Sequence, residues 1–279
     1  MNPWYWRLGL AATAVGAGAA AFGWRRINQA DRTPEPRSSD DLFPAPLTIM
    51  GHRGAAAVAP ENTMVAFGAV SRLGLPFELD VQPCLGGQLV VMHDATLDRT
   101  TSGRGSVAQT SWADIKKLDA GAHFGDAFAG HRVPALDTVL ATLGGEVVIN
   151  IEVKPPSATA STAERRGLAA AVAALIEAHD VEKKVMVSSF DPLLLEALRK
   201  INGGIRRGLI IGTDEGRSVY DQVALRQLWL PLASQPDLLM LEKSLATAKV
   251  VQRLKSTGYR VFAWTVNDRA EGQRLVGAG

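Results

Sequence analysis

Apolar and polar residues alternate along most of this chain in a repeated two-part pattern. Short runs rich in Val, Ile and Leu predict buried strands, and longer amphipathic stretches predict helices. The predicted strands are Leu47–Gly51, Phe77–Val81, Val147–Val153, Lys184–Ser188, Arg207–Ile211, Leu238–Leu241 and Arg260–Val266. The predicted helices are Thr63–Leu73, Ala135–Thr142, Ala163–His179, Pro192–Lys200, Val219–Leu230 and Leu245–Thr257. Strand and helix in this alternation predict a parallel α/β fold.

Candidate functional residues follow several different strands, which favours a (β/α)8 TIM barrel over a doubly wound sheet. We count seven principal strands, whereas a closed barrel needs an eighth. The sequence stops at Leu275–Gly279, where the last helix should turn into that strand. We therefore expect a barrel that lacks its eighth strand in this chain, or a strand count that is wrong by one. In the first case Leu47–Gly51 and Arg260–Val266 would not pair with each other, and the open edges would favour aggregation.

An insertion interrupts the barrel pattern after the second predicted strand, from about residue 82 to 133, and is rich in Gly, Thr and Asp. It contains its own strand-like run, Gln88–Met92, which is followed by His93 and Asp94. We expect this run to return His93 to the mouth of the barrel. Cys84, also in the insertion, is the single cysteine, so the chain has no internal disulfide, and we interpret it as a packing residue.

The N-terminal stretch has a different character from the rest of the chain. Leu8–Trp24 is uncharged and rich in Ala and Gly, and it is near the short limit for crossing a bilayer. Aromatic residues flank it on both sides, as they do at membrane interfaces. A cleaved signal peptide, and hence export, is the alternative interpretation. Arg25 and Arg26 directly after the run disfavour translocation and predict that the C-terminal side of the run, with the rest of the chain, lies on the cytoplasmic side.

We therefore divide the chain into a membrane anchor over residues 1–27, a Pro-rich linker over 28–46 and a barrel over 47–279. The chain has 279 residues, of which 47% are hydrophobic, and this is enough for one large domain plus an appendage. The net charge of +2 gives no sign of a nucleic-acid surface. The expected partners are the membrane and a small-molecule substrate, and the sequence identifies no protein partner.

Two short signatures place charged side chains together. In a strand, residues i and i+2 share a face, so Glu78 and Asp80 point the same way from one strand, and Glu152 and Lys154 from another. Three carboxylates and an ammonium then converge. Buried charges are tolerated when they are paired or bound to metal, so this cluster predicts a site for a divalent cation and an anionic ligand.

Six spaced motifs, in this order, resemble the glycerophosphodiester phosphodiesterase family, a branch of the phosphatidylinositol-phospholipase-C-like phosphodiesterases. The resemblance covers the chain from about Ile49 to its end, and the family's fold is a TIM barrel. The motifs are His52-Arg53-Gly54, Pro60-Glu61-Asn62-Thr63, Glu78-Leu79-Asp80, Val91-Met92-His93-Asp94, Thr100-Thr101-Ser102-Gly103 and Ile151-Glu152-Val153-Lys154.

The resemblance implies a role for each matching residue. It implies that Glu78, Asp80 and Glu152 bind the metal, and that His52 and His93 are the catalytic acid/base pair. It places Arg53 and Lys154 on the phosphate. Hard oxygen ligands suit Ca²⁺ or Mg²⁺. Three further assignments have alternatives. Glu61 either accepts a hydrogen bond from a residue of the site and so supports it, or is a first-turn helix acid, and Asn62 is interpreted as a helix N-cap rather than a ligand. Phe190 and Trp264 either form an apolar wall against the substrate or pack in the core.

The resulting hypothesis is a membrane-anchored, metal-dependent phosphodiesterase that cleaves glycerophosphodiesters into glycerol 3-phosphate and an alcohol. By the resemblance, the glycerol hydroxyl of the substrate attacks first and water opens the cyclic phosphate. Two alternatives remain. One is lysophospholipase D activity, for which Phe124 and Phe128 are the candidate apolar rim, and the other is a non-catalytic, membrane-tethered binding protein on a degenerate barrel.

Overall fold

A mostly parallel sheet of seven strands forms the centre of the molecule. The computed structural model describes residues 36–155, 157, 159–212 and 234–279. The strands are β1 (Phe77–Pro83), β2 (Leu89–Val91), β3 (Ile149–Val153), β4 (Val185–Ser189), β5 (Arg206–Ile211), β6 (Leu238–Glu242) and β7 (Arg260–Trp264). Their order is β2-β1-β3-β4-β5-β6-β7, and only β2 runs antiparallel to its neighbour. Among the described residues this is the arrangement of a TIM-like barrel with an additional hairpin strand.

Five of the seven α-helices in the described residues correspond to predicted helices. The seven are α1 (Met64–Ser71), α2 (Trp112–Ile115), α3 (Leu136–Leu143), α4 (Thr162–Ala178), α5 (Pro192–Ile201), α6 (Ala248–Ser256) and α7 (Arg269–Ala278). Of these, α2 and α7 were not predicted. Side-chain N-caps begin most of them; for example, Asp191 accepts hydrogen bonds from the first-turn amides of α5, which has Pro192 at its first position. The predicted helix Val219–Leu230 lies outside the described residues.

The two faces of the strands bury different cores. On one face, residues such as Leu79 and Ile151 pack against the helices in the largest hydrophobic cluster. On the other face, Met186, Ile210 and Met240 point into the barrel. The alternation follows from the two-residue period of a strand. Because the same inner face carries Glu78, Asp80 and Glu152 further along β1 and β3, the polar site lies above an apolar floor.

Part of the segment predicted as a linker covers this floor. Leu42 and Phe43 are buried among the inner-face residues of the barrel, and Phe43 packs edge-on against Phe262 with 5.1 Å between ring centroids. Arg37 donates to both carboxylate oxygens of the buried Asp237, at 2.7 and 2.9 Å. We call residues 37–43 the floor arm. Its partners lie at the amino ends of parallel strands, so it closes the end of the barrel opposite the carboxyl ends of the strands.

The predicted first strand, Leu47–Gly51, is the one strand prediction that was wrong. Only Gly51 forms a bridge, to Phe77, and the side chains of Leu47 and Ile49 are 59% and 67% exposed. A strand is stabilised by pairing with neighbouring strands, and an apolar pattern alone does not show that such a neighbour exists. As predicted, the described part of this segment does not pair with β7, which is an edge of the sheet.

The insertion folds around a core of its own. Cys84, Val90, Met92, Leu97 and Ile115 are buried together in it, which agrees with the packing role predicted for Cys84. Strand β2 pairs with the end of β1, with Val81 opposite Val91. His93 therefore follows directly from a strand that is fixed to β1, and this brings it to the carboxyl end of the barrel.

The predicted membrane anchor lies outside the described residues. Within the described ranges, no helix has the length and apolar character needed to cross a bilayer.

Candidate active site

Three carboxylates meet on the inner face of the neighbouring strands β1 and β3. The parallel register places Glu78 beside Asn150 and Asp80 beside Glu152, so the side chains project from neighbouring strands into one space. One oxygen from each of Glu78, Asp80 and Glu152 lies within 4.8 Å of the others, and all three residues are buried. The convergence predicted from the two sequence signatures is therefore present in the fold.

The charges of this cluster suit a divalent cation. Burial and the neighbouring carboxylates Asp80 and Glu152 raise the pKa of Glu78 well above its usual range. One of its oxygens, Oε1, is buried without a hydrogen-bond partner in the described part of the chain. A buried acceptor of this kind costs free energy unless something binds it. Hard oxygen donors without His or Cys are the ligands of Mg²⁺ or Ca²⁺, so the residues fit such an ion.

Two cationic side chains border the carboxylates. Lys154 Nζ lies 2.8 Å from Asp80 Oδ1 and also donates to Glu152. Burial opposes the charge on Lys154, but Asp80 and Glu152 raise its pKa overall, so it stays protonated. Arg53 donates its backbone N–H to Glu78 Oε2 at 2.8 Å, and its Nε lies 3.4 Å from Asp80 Oδ2 without hydrogen-bond alignment. Both cations can therefore offer donors to an anionic group at the mouth.

A tight turn presents His52 and Arg53. Arg53 has φ of +54° and Gly54 has φ of +79°. A Cβ on Gly54 would lie 2.8 Å from the backbone of Ala66 and 2.9 Å from the Phe67 ring, so only glycine lets the turn approach α1 this closely. Burial, and next the positive charge of Arg53, lower the pKa of His52 to about 4. His52 is therefore a neutral imidazole near pH 7.

His93 is held from two directions. Its Nδ1 lies 2.8 Å from Asp94 Oδ1, which identifies Nε2 as the nitrogen that can exchange a proton with a ligand. Gln82, on β1, donates from Nε2 to the carbonyl oxygens of Met92 and Asp94 at 2.9 and 2.7 Å. The end of β2 and the loop that carries His93 are therefore fixed to the barrel.

Arg99, in the insertion, was not singled out from the sequence. Its guanidinium bridges the carboxylates of Asp94 and Glu61 with four hydrogen bonds of 2.6–2.9 Å. Glu61 also accepts from Arg53 Nη1 at 2.8 Å. Glu61 thus contacts Arg53 and is not one of the three clustered carboxylates, and its supporting role in the site stays a prediction. The sequence signal was an arginine five residues after His93-Asp94, which has no meaning until the insertion is folded.

Asn62 is not the N-cap of α1. It has φ of +57°, and its side chain pairs with Asp80: Nδ2 donates to Oδ2 at 2.8 Å, and Oδ1 accepts the Asp80 N–H at 3.2 Å. Thr63 caps the helix instead, because its backbone is extended as an N-cap requires and its hydroxyl accepts from Ala66. Asn62 therefore orients a carboxylate of the cluster.

Phe190 and Trp264 lie at the carboxyl ends of β4 and β7. Their rings pack edge to face with centroids 5.6 Å apart, and Lys154 Nζ lies 6.0 Å from the Phe190 centroid. Trp264 Nε1 donates to the carbonyl of Met240 at 3.1 Å. Both side chains are half-buried and pack against the inner-face hydrophobic cluster, as the core-packing alternative expects. A wall of these two rings against the substrate stays a prediction.

Comparisons with known proteins identify the family of this chain. The sequence profile of the glycerophosphoryl diester phosphodiesterase family matches residues 52–279. A glycerophosphodiester phosphodiesterase of Caldanaerobacter subterraneus subsp. tengcongensis is 33% identical over 234 residues, which are 83% of this chain and 90% of the relative. The structure of a glycerophosphodiester phosphodiesterase from Agrobacterium tumefaciens str. C58 superposes with a TM-score of 0.67 at 27% identity, covering 82% of this chain and 92% of the other.

An Oleispira antarctica phosphodiesterase, solved in complex with the product sn-glycerol-3-phosphate, superposes with a TM-score of 0.68 at 26% identity. The match covers 84% of this chain and 90% of that structure. The profile spans most of the chain, and it includes every site residue predicted from the sequence. The chain therefore belongs to the glycerophosphoryl diester phosphodiesterase family.

Proposed function

We propose that this protein hydrolyses glycerophosphodiesters to glycerol 3-phosphate and an alcohol, with a divalent cation held by Glu78, Asp80 and Glu152. The observation that carries the proposal is the buried carboxylate cluster, bordered by two imidazoles and two cationic side chains at one end of the barrel. The relatives named for this activity, and one neighbour solved with glycerol 3-phosphate, support the same substrate class.

The cationic side chains bind the phosphodiester. Arg53 and Lys154 lie beside different oxygens of the Asp80 carboxylate and can each donate to a non-bridging phosphate oxygen. Charge that builds on these oxygens in the transition state is then met by donors that are already in place. A bound cation would add Lewis-acid stabilisation of the same phosphate. Phe190 and Trp264 give the substrate carbons an apolar side to pack against.

The two imidazoles transfer protons to and from different groups: one serves the attacking hydroxyl and the other the leaving alkoxide. His52 is neutral near pH 7, since its pKa is lowered to about 4, so it can accept the proton of the attacking hydroxyl. His93, held through Nδ1 by Asp94, passes a proton from Nε2 to the leaving alkoxide. The P–O bond to the alcohol breaks as the new P–O bond forms. When the attacking group is the glycerol hydroxyl of the substrate, water opens the cyclic phosphate in a second step.

Glycerophosphocholine hydrolysis tests this function directly. Glycerol 3-phosphate release is measured with Mg²⁺, with Ca²⁺ and with excess chelator, for the parental chain and Asp80→Asn. We expect turnover with a cation only, and loss of both turnover and calorimetric cation binding in Asp80→Asn, which removes one ligand charge at nearly constant shape. Asp114→Asn, an exposed acid of the insertion, is the matched control and should behave as the parent. Full activity in chelator would contradict metal dependence.

A further inference from the structure

Arg99 links two loops that are far apart in the sequence. Its Nε and Nη2 bind Asp94 at 2.6 and 2.9 Å, and its Nη1 and Nη2 bind Glu61 at 2.9 and 2.7 Å. Both contacts are bidentate, the geometry that fixes a carboxylate in position as well as in charge. We call this arrangement the Arg99 clamp. It joins the insertion to the loop before α1.

The Arg99 clamp continues into the catalytic groups on both sides. On one side, Asp94 Oδ1 also contacts His93 Nδ1 at 2.8 Å. On the other side, Glu61 Oε1 also accepts from Arg53 Nη1 at 2.8 Å. The hydrogen bond from Arg99, more than any other interaction, lowers the pKa of Asp94, so the carboxylate stays ionised and keeps accepting from the imidazole. His93 is otherwise a side chain that is 35% exposed on a loop.

The solvent exposure of its side chains indicates whether the Arg99 clamp acts mainly on folding stability or on the orientation of His93. The Arg99 side chain is 48% exposed and that of Asp94 is 24% exposed. Ion pairs this open to solvent contribute at most about 1 kcal/mol to folding stability, because water and salt screen them. The backbone of this loop is already held by Gln82. Orientation of the imidazole is therefore the larger effect of the four hydrogen bonds.

We propose that Arg99 is a positioning residue for the His93 acid, acting through Asp94, an inference that rests on the proposed function. Arg99 has no contact with the carboxylate cluster Glu78, Asp80 and Glu152 among the described hydrogen bonds and ion pairs. Its removal should lower turnover and leave cation binding unchanged. A partner that orients a functional imidazole in this way is typically worth about 10–100-fold.

The kinetic test compares Arg99→Ala, Asp94→Asn and the double variant with the parent on glycerophosphocholine. We expect kcat to fall about 10–100-fold in Arg99→Ala. Because Arg99 acts through Asp94, the double variant should lose no more than Asp94→Asn alone. Added ethylguanidinium should restore part of the turnover of Arg99→Ala and none of that of Asp94→Asn. Arg104→Ala, an exposed arginine of the same insertion, should match the parent.

The ring nitrogens of His93 provide a readout that needs no turnover. In ¹⁵N spectra, assigned with His93→Ala, the Nδ1 signal should shift in Arg99→Ala in the same direction as in Asp94→Asn. An unchanged signal, a kcat within about threefold of the parent, or fully multiplicative losses in the double variant would overturn the proposal. A chain that shows the spectral shift but never cleaves glycerophosphocholine would support the Arg99 clamp and refute the proposed function.

Discussion

The charges at the centre of the site do not cancel by themselves. Glu78, Asp80 and Glu152 bring three negative charges, and Arg53 and Lys154 bring two positive ones. Burial makes the remaining charge costly, and the structure shows the cost as the raised pKa of Glu78. A divalent cation would reverse the sign of the site and leave one positive charge, which matches the single negative charge of a phosphodiester.

Glu78→Gln should therefore stabilise the cation-free protein at alkaline pH. The folded pKa of Glu78 is raised, so its contribution to stability is full below the unfolded pKa and is lost as pH rises through the folded pKa. Gln has nearly the same shape and no charge to bury. In chelator we expect the variant to melt a few degrees above the parent at pH 8 and at about the same temperature at pH 5.

Thermal melts at the two pH values, with and without Mg²⁺ or Ca²⁺, check this prediction. Saturating cation at pH 8 should raise the melting temperature of the parent more than that of Glu78→Gln, because the variant has lost a ligand charge. If the difference in melting temperature between the two proteins did not change with pH, the charge on Glu78 would not destabilise the cation-free protein.

His52→Ala and His93→Ala should each lower turnover by about 10²–10⁴-fold while the fold survives. A base works when it is deprotonated, and the pKa of His52 is lowered to about 4. The base is lost by protonation as pH falls toward that value, so the parental rate should decrease on the acid side. His123→Ala, an exposed histidine of the insertion, is the control. Near-parental turnover in either variant would show that its role is assigned wrongly.

Sequence patterns predicted the charged residues of the site but not the contacts between them. The spacing of Glu78-Leu79-Asp80 fixes a shared face because a strand has period two. The Asn62–Asp80 pair joins residues 18 positions apart, and the Arg99–Glu61 pair joins residues 38 apart, with no period to connect them. Asn62 and Thr63 are both good N-cap types, and only the backbone angles decide between them.

At the scale of elements, the predicted strands and helices that the structure confirms agree with it within about three residues at each end, whereas α2 and α7 were not among the predicted helices. Strand β5 was predicted as Arg207–Ile211 and is Arg206–Ile211. The segment Leu47–Gly51 has an equally apolar pattern but forms one bridge only. An apolar pattern predicts that a segment can be buried. Whether the segment is a strand depends on backbone hydrogen bonds to a neighbouring strand, which the pattern does not identify.

The capping box of α4 gives a prediction at this scale. Ser161 Oγ accepts from the Glu164 N–H at 3.2 Å, and Glu164 Oε2 accepts from the Ser161 N–H at 2.7 Å. Ser161→Ala removes half of this reciprocal cap and should cost about 0.5–2 kcal/mol. We expect a lower unfolding midpoint in denaturant with unchanged kcat. Ser256→Ala, at the exposed end of α6, is the control, and equal midpoints for the two variants would contradict the role of the cap.

At the scale of the whole molecule, the two ends of the barrel have separate tasks. Glu152 lies near the carboxyl end of β3 and Lys154 directly after it, and the site opens at this end of the barrel. The floor arm closes the other end: Arg37 binds Asp237 just before β6, and Arg260, at the start of β7, binds Asp40 and the Phe43 carbonyl. The arm is held by a bidentate pair to a buried carboxylate, which makes it part of the folded barrel.

We propose that residues 1–27 anchor the protein in a membrane, with the barrel on the cytoplasmic side. The uncharged run Leu8–Trp24 and the basic pair Arg25-Arg26 support this proposal. Nine residues, 28–36, connect the anchor to the floor arm, and they reach about 30 Å at most. The floor would then be the end of the barrel that is tethered to the bilayer, and the mouth with its carboxylate cluster would be the end farther from the tether.

This orientation predicts a preference for water-soluble substrates over lipids. In vesicles that carry the full chain, glycerophosphocholine added from solution should be cleaved faster than lysophosphatidylcholine held in the same bilayer. The reason is distance, because the mouth opens at the end of the barrel opposite the floor arm. Vesicle flotation and protease accessibility of the barrel check the anchor itself, and a new N-terminus near Gly23 would contradict it. Faster cleavage of the bilayer-held lysophospholipid would instead show that the mouth faces the membrane, as lysophospholipase D activity requires.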